Sequence, residues 1–188
     1  NIVDKDINIL SIDKPSILLS LRAQLGEKTL KIEEDDELYT INIPEFIDKY
    51  EGFKFDDSLR EHVIKNDDVE IYLSIPDLNR DTKTNKFIKK ALGNNTSTDG
   101  IYRSIGELFV YELIKFIDKI VINKTEVTFS ELTFDQQIQV CETFSLDISH
   151  DITKYIAKIR DFENQFTTHV IDGNKVEIPM TIALFTND

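Results

Sequence analysis

Tryptophan is absent from the 188 residues, and cysteine and methionine occur once each. The lone Cys141 excludes a disulfide framework within the chain and any metal site built from several thiolates. Only three histidines are present, His62, His150 and His169, and no two have the spacing that puts both imidazoles on one helix face. The six glycines never form G-x-G-x-x-G, a P-loop or G-x-S-x-G, which removes the usual phosphate cradles and the nucleophile elbow. Positive charge is short as well: 22 Lys and Arg face 35 Asp and Glu, for a net charge of −13. That balance opposes phosphate backbones and anionic bilayers unless basic residues cluster, and Lys89-Lys90 is the sole adjacent basic pair. Neither nucleic acid nor a membrane is expected as a partner. The longest apolar stretch, Ile105 to Ile122, carries Glu107, Glu112, Lys115, Asp118 and Lys119, too many charges for a membrane span. Asn1 to Asp6 alternate apolar and charged residues, unlike a signal peptide, and the initial Asn suggests that the native N-terminus lies upstream.

What is present suits a folded chain: 40% hydrophobic and 30% charged residues. The first part reads as short mixed elements. Ile7 to Leu10 is a candidate strand, and Pro15 suits the first turn of a helix that turns Ile17, Leu18, Leu21 and Leu25 inward and closes at Gly26. Strands are expected over Thr29 to Ile32 and Leu38 to Ile43, with Glu33 to Glu37 as a solvated hairpin turn. Asp57 or Ser58 can cap a helix through Lys65. Val69 to Ile75 alternates with period two and stops at Pro76, the clearest strand of the chain. Asp77 to Asn85 opens like a calcium loop, D-x-N-x-D. It has Thr82 where the turn glycine belongs and Ile88 where the bidentate Glu belongs, so it reads as a solvated loop before a short helix near Asn85 to Leu92.

Gly93 to Gly100 is a loop by composition, and the domain organisation expected from it is a mixed α/β region over 1–92 and a helical region over 101–188, or one compact unit. Ile101 to about Ile120 has the spacing of a central helix, apolar over most of its circumference. Thr133 and Gln136 form a capping box for a helix through Phe144, with Phe134, Ile138, Cys141 and Phe144 inward. Cys141 is then a small core residue and not a nucleophile. Ser149 or Asp151 starts a further helix with Ile152, Tyr155, Ile156, Ile159, Phe162 and Phe166 on one face. Asp172-Gly173-Asn174 turns a hairpin between Thr167 to Ile171 and Lys175 to Met180. The fold class expected is α+β, strand-rich at first, then mainly helical and closed by a β-hairpin. No catalytic, cofactor or metal constellation rises above the abundance of carboxylates.

The order of V-E-I-Y-L-S-I-P-D-L, the Ile/Phe-rich segment 101–120, L-T-F-D-Q-Q-I-Q-V-C-E-T-F, I-T-K-Y-I-A-K-I-R-D-F-E and the hairpin ending A-L-F-T-N-D resembles the T4-like bacteriophage baseplate hub assembly family. The likeness covers about Val69 to the C-terminus, and the first 68 residues more weakly. It implies a non-enzymatic phage protein made in the host bacterial cytoplasm, a chaperone or subunit of the tail baseplate that binds a hub or tape-measure component. Some members carry cysteine pairs in the C-terminal hairpin region; this chain has His169 there and must hold the hairpin by packing. The family has no catalytic residues to carry over. Candidate partner contacts are Phe53, Phe55, Leu184 and Phe185, with the 167–180 hairpin. An acidic intracellular adaptor and a carboxylate hydrolase without a familiar motif remain open as other readings.

Overall fold

A computed structural model describes residues 9–34, 36–51, 54–93, 108–171, 173–178 and 180. The fold class is α+β, with sheets in the N-terminal half, helices toward the C-terminus and a closing β-hairpin. The chain divides into two compact units, one of residues 1–11 and 56–158, the other of 12–55 and 159–188. Most of the expected 93–100 boundary loop lies outside the described residues, and the described residues flanking it belong to the same unit.

The first unit holds a four-stranded antiparallel sheet in the order β3-β4-β5-β6: Glu61–Asn66, Val69–Ser74, Ile117–Ile122 and Thr125–Thr128. Ile64 and Ile71 stand opposite each other, as do Ile71 and Ile120, and all three are buried. Each fully buried side chain of this size contributes roughly 1.5–3 kcal/mol, so the register is set by this row. The turns are short and left-handed where needed: Asp67 has φ 48°, and Asn123 and Lys124 have φ 50° and 66°. Leu10, the described end of the expected first strand, makes a single antiparallel bridge to Asp77.

Three expectations fail in this unit. Asp56 accepts from the Ser58 N–H at 3.0 Å but starts only a 3-10 turn, Asp57–Leu59, and the expected helix to Lys65 is strand β3. Leu59, Val63 and Ile64 satisfy a helical spacing, but pairing with β4 along all six residues of β3 decides the outcome. The presumed loop at 77–85 is the start of helix α3, Leu78–Gly93, because the Asp77 carboxylate accepts from the Arg80 N–H at 2.7 Å and caps it. The expected helix to Ile120 is described as α4 over 108–116 and gives way at Ile117 to β5, whose last four residues, Lys119, Ile120, Val121 and Ile122, are paired on both sides; residues 94–107 lie outside the description. Helix α5, Phe134–Glu142, carries the expected capping box, with Thr133 Oγ1 accepting from the Gln136 N–H and Gln136 Oε1 from the Thr133 N–H at 2.8 Å. Helix α6, Leu146–Thr167, starts earlier than Ser149 because the Ser145 hydroxyl oxygen accepts from the Ile148 N–H at 3.3 Å. Of its expected face, Ile152, Tyr155, Ile156, Ile159 and Phe166 are buried and Phe162 is half-buried.

The second unit contains α1 (Lys14–Gln24), the β1–β2 hairpin (Thr29–Glu34, Glu37–Asn42), α2 (Ile43–Glu51) and the β7–β8 hairpin (Thr168–Ile171, Asn174–Glu177). Its core gathers Leu19, Leu30, Ile32, Ile41, Ile43, Phe46, Val176 and Ile178. The acidic run turns the first hairpin, with Asp36 at φ 62°. Gly173 supplies φ 88° in the second, a conformation that costs a residue with a Cβ. Helix α1 is rotated from its expected face. Pro15, Leu19 and Arg22 are buried, a 4-then-3 spacing that is equally helical, while Leu21 and Leu25 are 47% and 71% exposed.

Candidate functional site

In the first unit, charged side chains from distant parts of the sequence meet between α3, α4 and β5. Arg80 donates through Nη1 to Asp118 Oδ1 at 2.9 Å and through Nη2 to the Ile114 carbonyl at 3.0 Å. Lys115, buried, reaches Glu112 at 3.0 Å and Asp81 at 3.3 Å, and Asn85 donates to Asp81 Oδ2 at 2.9 Å. Burial pulls the Arg80 guanidinium pKa down, and Asp118 opposes that shift. A buried charge left unpaired is costly, so these contacts tie α3 to the α4–β5 junction.

Beside this network lies a cleft of about 520 Å³, lined by Asp77, Arg80, Lys83, Phe87, Phe134 and Gln137 among others. Phe87 and Phe134 stack at 4.0 Å with planes 11° apart, and Phe87 remains 42% exposed. Tyr111 adds a third ring, 5.2 Å from that of Phe134. The Gln137 amide donates to the Phe129 carbonyl at 2.6 Å and holds α5 against the turn before it. An exposed aromatic platform next to a fixed polar network suits the anchoring of a side chain or peptide. The carboxylates of Asp77, Asp81 and Asp118 are each committed to a protein donor. Among the described residues, no group of three or more His, Cys, Asp and Glu is placed to hold a metal ion.

The open face of the sheet carries a second arrangement, a ladder of polar contacts crossing all four strands. Lys65 of β3 meets Glu70 of β4 at 2.9 Å, and Tyr72 donates to the same carboxylate at 2.8 Å. Lys119 of β5 lies 4.4 Å above the Tyr72 ring and meets Glu126 of β6 at 2.7 Å. Hydrogen bonds from Lys65 and Tyr72 hold the Glu70 carboxyl below its ordinary range, and the bond to Glu126 raises the Lys119 ammonium. These groups are exposed or half-buried at the surface, so the ladder orders the face more than it stabilises the fold.

Of the residues singled out from the sequence, Phe55 is half-buried in the second unit, edge-on to Phe162 at 4.7 Å. Phe53, Leu184 and Phe185 lie outside the described residues. In the closing hairpin Val176 is buried, Val170 is 61% exposed, and His169 meets Phe46 edge-on at 5.6 Å. Burial pulls the His169 pKa down. Cys141 is buried, as expected, and its thiol is pushed up to about 12, first by burial and then by Glu142. Sequence reasoning missed Arg80, Asp118, Phe87 and Phe134 as a group. Arg80 and Asp118 are 38 positions apart, and no spacing rule joins them. Among the described residues, no helix is long and apolar enough to cross a membrane. Comparison with family models, with curated proteins and with solved structures finds no match.

Proposed function

We propose that the protein is a non-enzymatic assembly factor or subunit of a bacteriophage tail baseplate, acting in the host bacterial cytoplasm. Its partners are a hub or tape-measure protein; nucleic acid, membranes and cofactors have no part in its role. The observation that carries this reading is the Phe87–Phe134 stack, left partly exposed at a cleft where Arg80 and Asp118 already hold each other. A catalytic cleft needs an acid, base or nucleophile directed at substrate, whereas a binding cleft needs a rigid apolar anchor with an ordered polar rim. The Phe87–Phe134 stack and the Arg80–Asp118 pair beside it support the second reading. The net charge of −13 adds solubility and keeps copies apart while an apolar or basic assembly surface is held. The order of apolar motifs from Val69 onward supports the tail assignment.

Co-expression with the hub and tape-measure proteins of a T4-like tail, followed by copurification, tests it. A stable complex with one of them is expected, weakened about tenfold or more by Phe87→Ala, as for a central aromatic anchor. A protein that retains none of these partners contradicts the proposal.

A further inference from the structure

Strand β3 ends the sheet, and among the described residues nothing pairs with its outer edge. Alternate residues of such a strand direct N–H and C=O groups outward, a template for one more strand. Along this edge runs a cleft of about 340 Å³, bounded by His62 to Lys65 on one side and by Asp151, Lys154, Tyr155 and Lys158 of α6 on the other. Its floor is fixed: the His62 ring lies on that of Tyr155, whose hydroxyl donates to the Leu59 carbonyl at 2.7 Å.

The charge of this cleft runs against that of the chain. Three lysines line it against one aspartate, in a protein of net charge −13. Lys65 is engaged by Glu70, and Lys154 meets Asp151 at 3.2 Å in a pair that is half-exposed on both sides and therefore weak. Lys158 attracts Asp56 only through space. Lys154 and Lys158 stand one helical turn apart, about 6 Å along α6. Residues i and i+2 of an extended strand are separated by about 6.6 Å on one face. Carboxylates at alternate positions of an added strand therefore match the two ammonium groups.

We infer that the outer edge of β3 is a strand-addition site for an extended, acidic protein segment lying between β3 and α6. Backbone hydrogen bonds to β3 supply the affinity, and Lys154 and Lys158 set the preference for acidic side chains. The geometry favours a peptide over a nucleic acid, whose phosphates have no donors for the β3 carbonyls and meet the repulsive field of the whole chain. This site is separate from the Phe87–Phe134 cleft and does not depend on the tail assignment.

Fluorescence anisotropy on the full chain tests it with a labelled eight-residue peptide that alternates valine and glutamate. Two further peptides carry N-methyl groups on one or the other alternating set of backbone nitrogens, and a fourth replaces glutamate by lysine. Saturable binding of the first is expected, lost about tenfold or more with one N-methylated set and kept with the other. Lys154→Glu with Lys158→Glu, both at exposed positions, should weaken it about tenfold or more at unchanged thermal stability. The inference is overturned if the peptide does not bind, if both N-methylated sets bind alike, or if the lysine peptide binds equally well. Tighter binding of an oligothymidylate overturns it too, as does a concentration-dependent dimer that the peptide dissociates, which would give the edge to a second copy. Retention of hub proteins by the double variant would leave the tail proposal intact and bears only on that reading.

Discussion

The ring of His62 lies 5.4 Å from that of Tyr155, with their planes 8° from parallel. This contact joins an edge strand to a helix more than 80 positions further along the chain, and the Tyr155 hydroxyl closes it by donating to the Leu59 carbonyl. Tyr155→Phe keeps the packing and removes the bond, so a loss of about 1 kcal/mol is expected in urea denaturation at neutral pH. His62→Ala, on the exposed side of the stack, should cost only about 0.5 kcal/mol. An unchanged stability in Tyr155→Phe would mean that the hydroxyl contributes nothing.

Cys141 predicts an alkaline limit to stability. Burial holds its thiol protonated up to about 12. The unfolded chain releases this proton at a lower pH, near 9. The group's contribution is therefore complete below about pH 9 and declines as pH rises toward 12, at up to about 1.4 kcal/mol per pH unit. Cys141→Ala should flatten part of the fall of unfolding free energy between about pH 9 and 10, the remainder coming from Tyr72 and Tyr155, whose folded-state values are also raised. At pH 8 the native thiol should resist an aromatic disulfide reagent that modifies the urea-unfolded chain at once. Rapid modification of the native protein would contradict its placement.

Arg22 occupies a core position of the second unit, with Glu27 as its ion-pair partner and with Nε and Nη1 lacking hydrogen-bond partners. A buried guanidinium whose donors are satisfied this incompletely adds little to stability. Arg22→Met should be neutral or raise stability by about 1 kcal/mol, whereas Glu27→Ala should lower it by roughly 1–3 kcal/mol by leaving the cation alone. Denaturation midpoints of the two variants give the comparison, and a large loss in Arg22→Met would show that its other donors are engaged.

Local chemistry made some elements legible. The period-two run of Val69–Ser74, the Thr133–Gln136 box, the apolar face of α6 and the Asp-Gly-Asn turn each carry their instruction within a few residues. Strands β3 and β5 were hidden because their apolar spacings also fit a helix, and only pairing with β4 separates the two outcomes. Two local signals were nevertheless available. Asn123-Lys124, both at positive φ, marks the β5–β6 turn. Asn42 caps α2 by accepting from the Glu45 N–H at 3.4 Å, and its amide donates to Glu45 Oε1 at 2.9 Å. The candidate site was less legible, since Phe87 and Phe134 meet only through tertiary packing across 47 positions.

The central claim is that the chain works by holding a tail protein. Its most direct test is the mass of complexes formed with purified hub and tape-measure proteins, measured by sedimentation for wild type and for Phe87→Ala. A defined complex that is lost or weakened in the variant is predicted. Absence of any complex, or a catalytic turnover abolished by one carboxylate substitution, would contradict it.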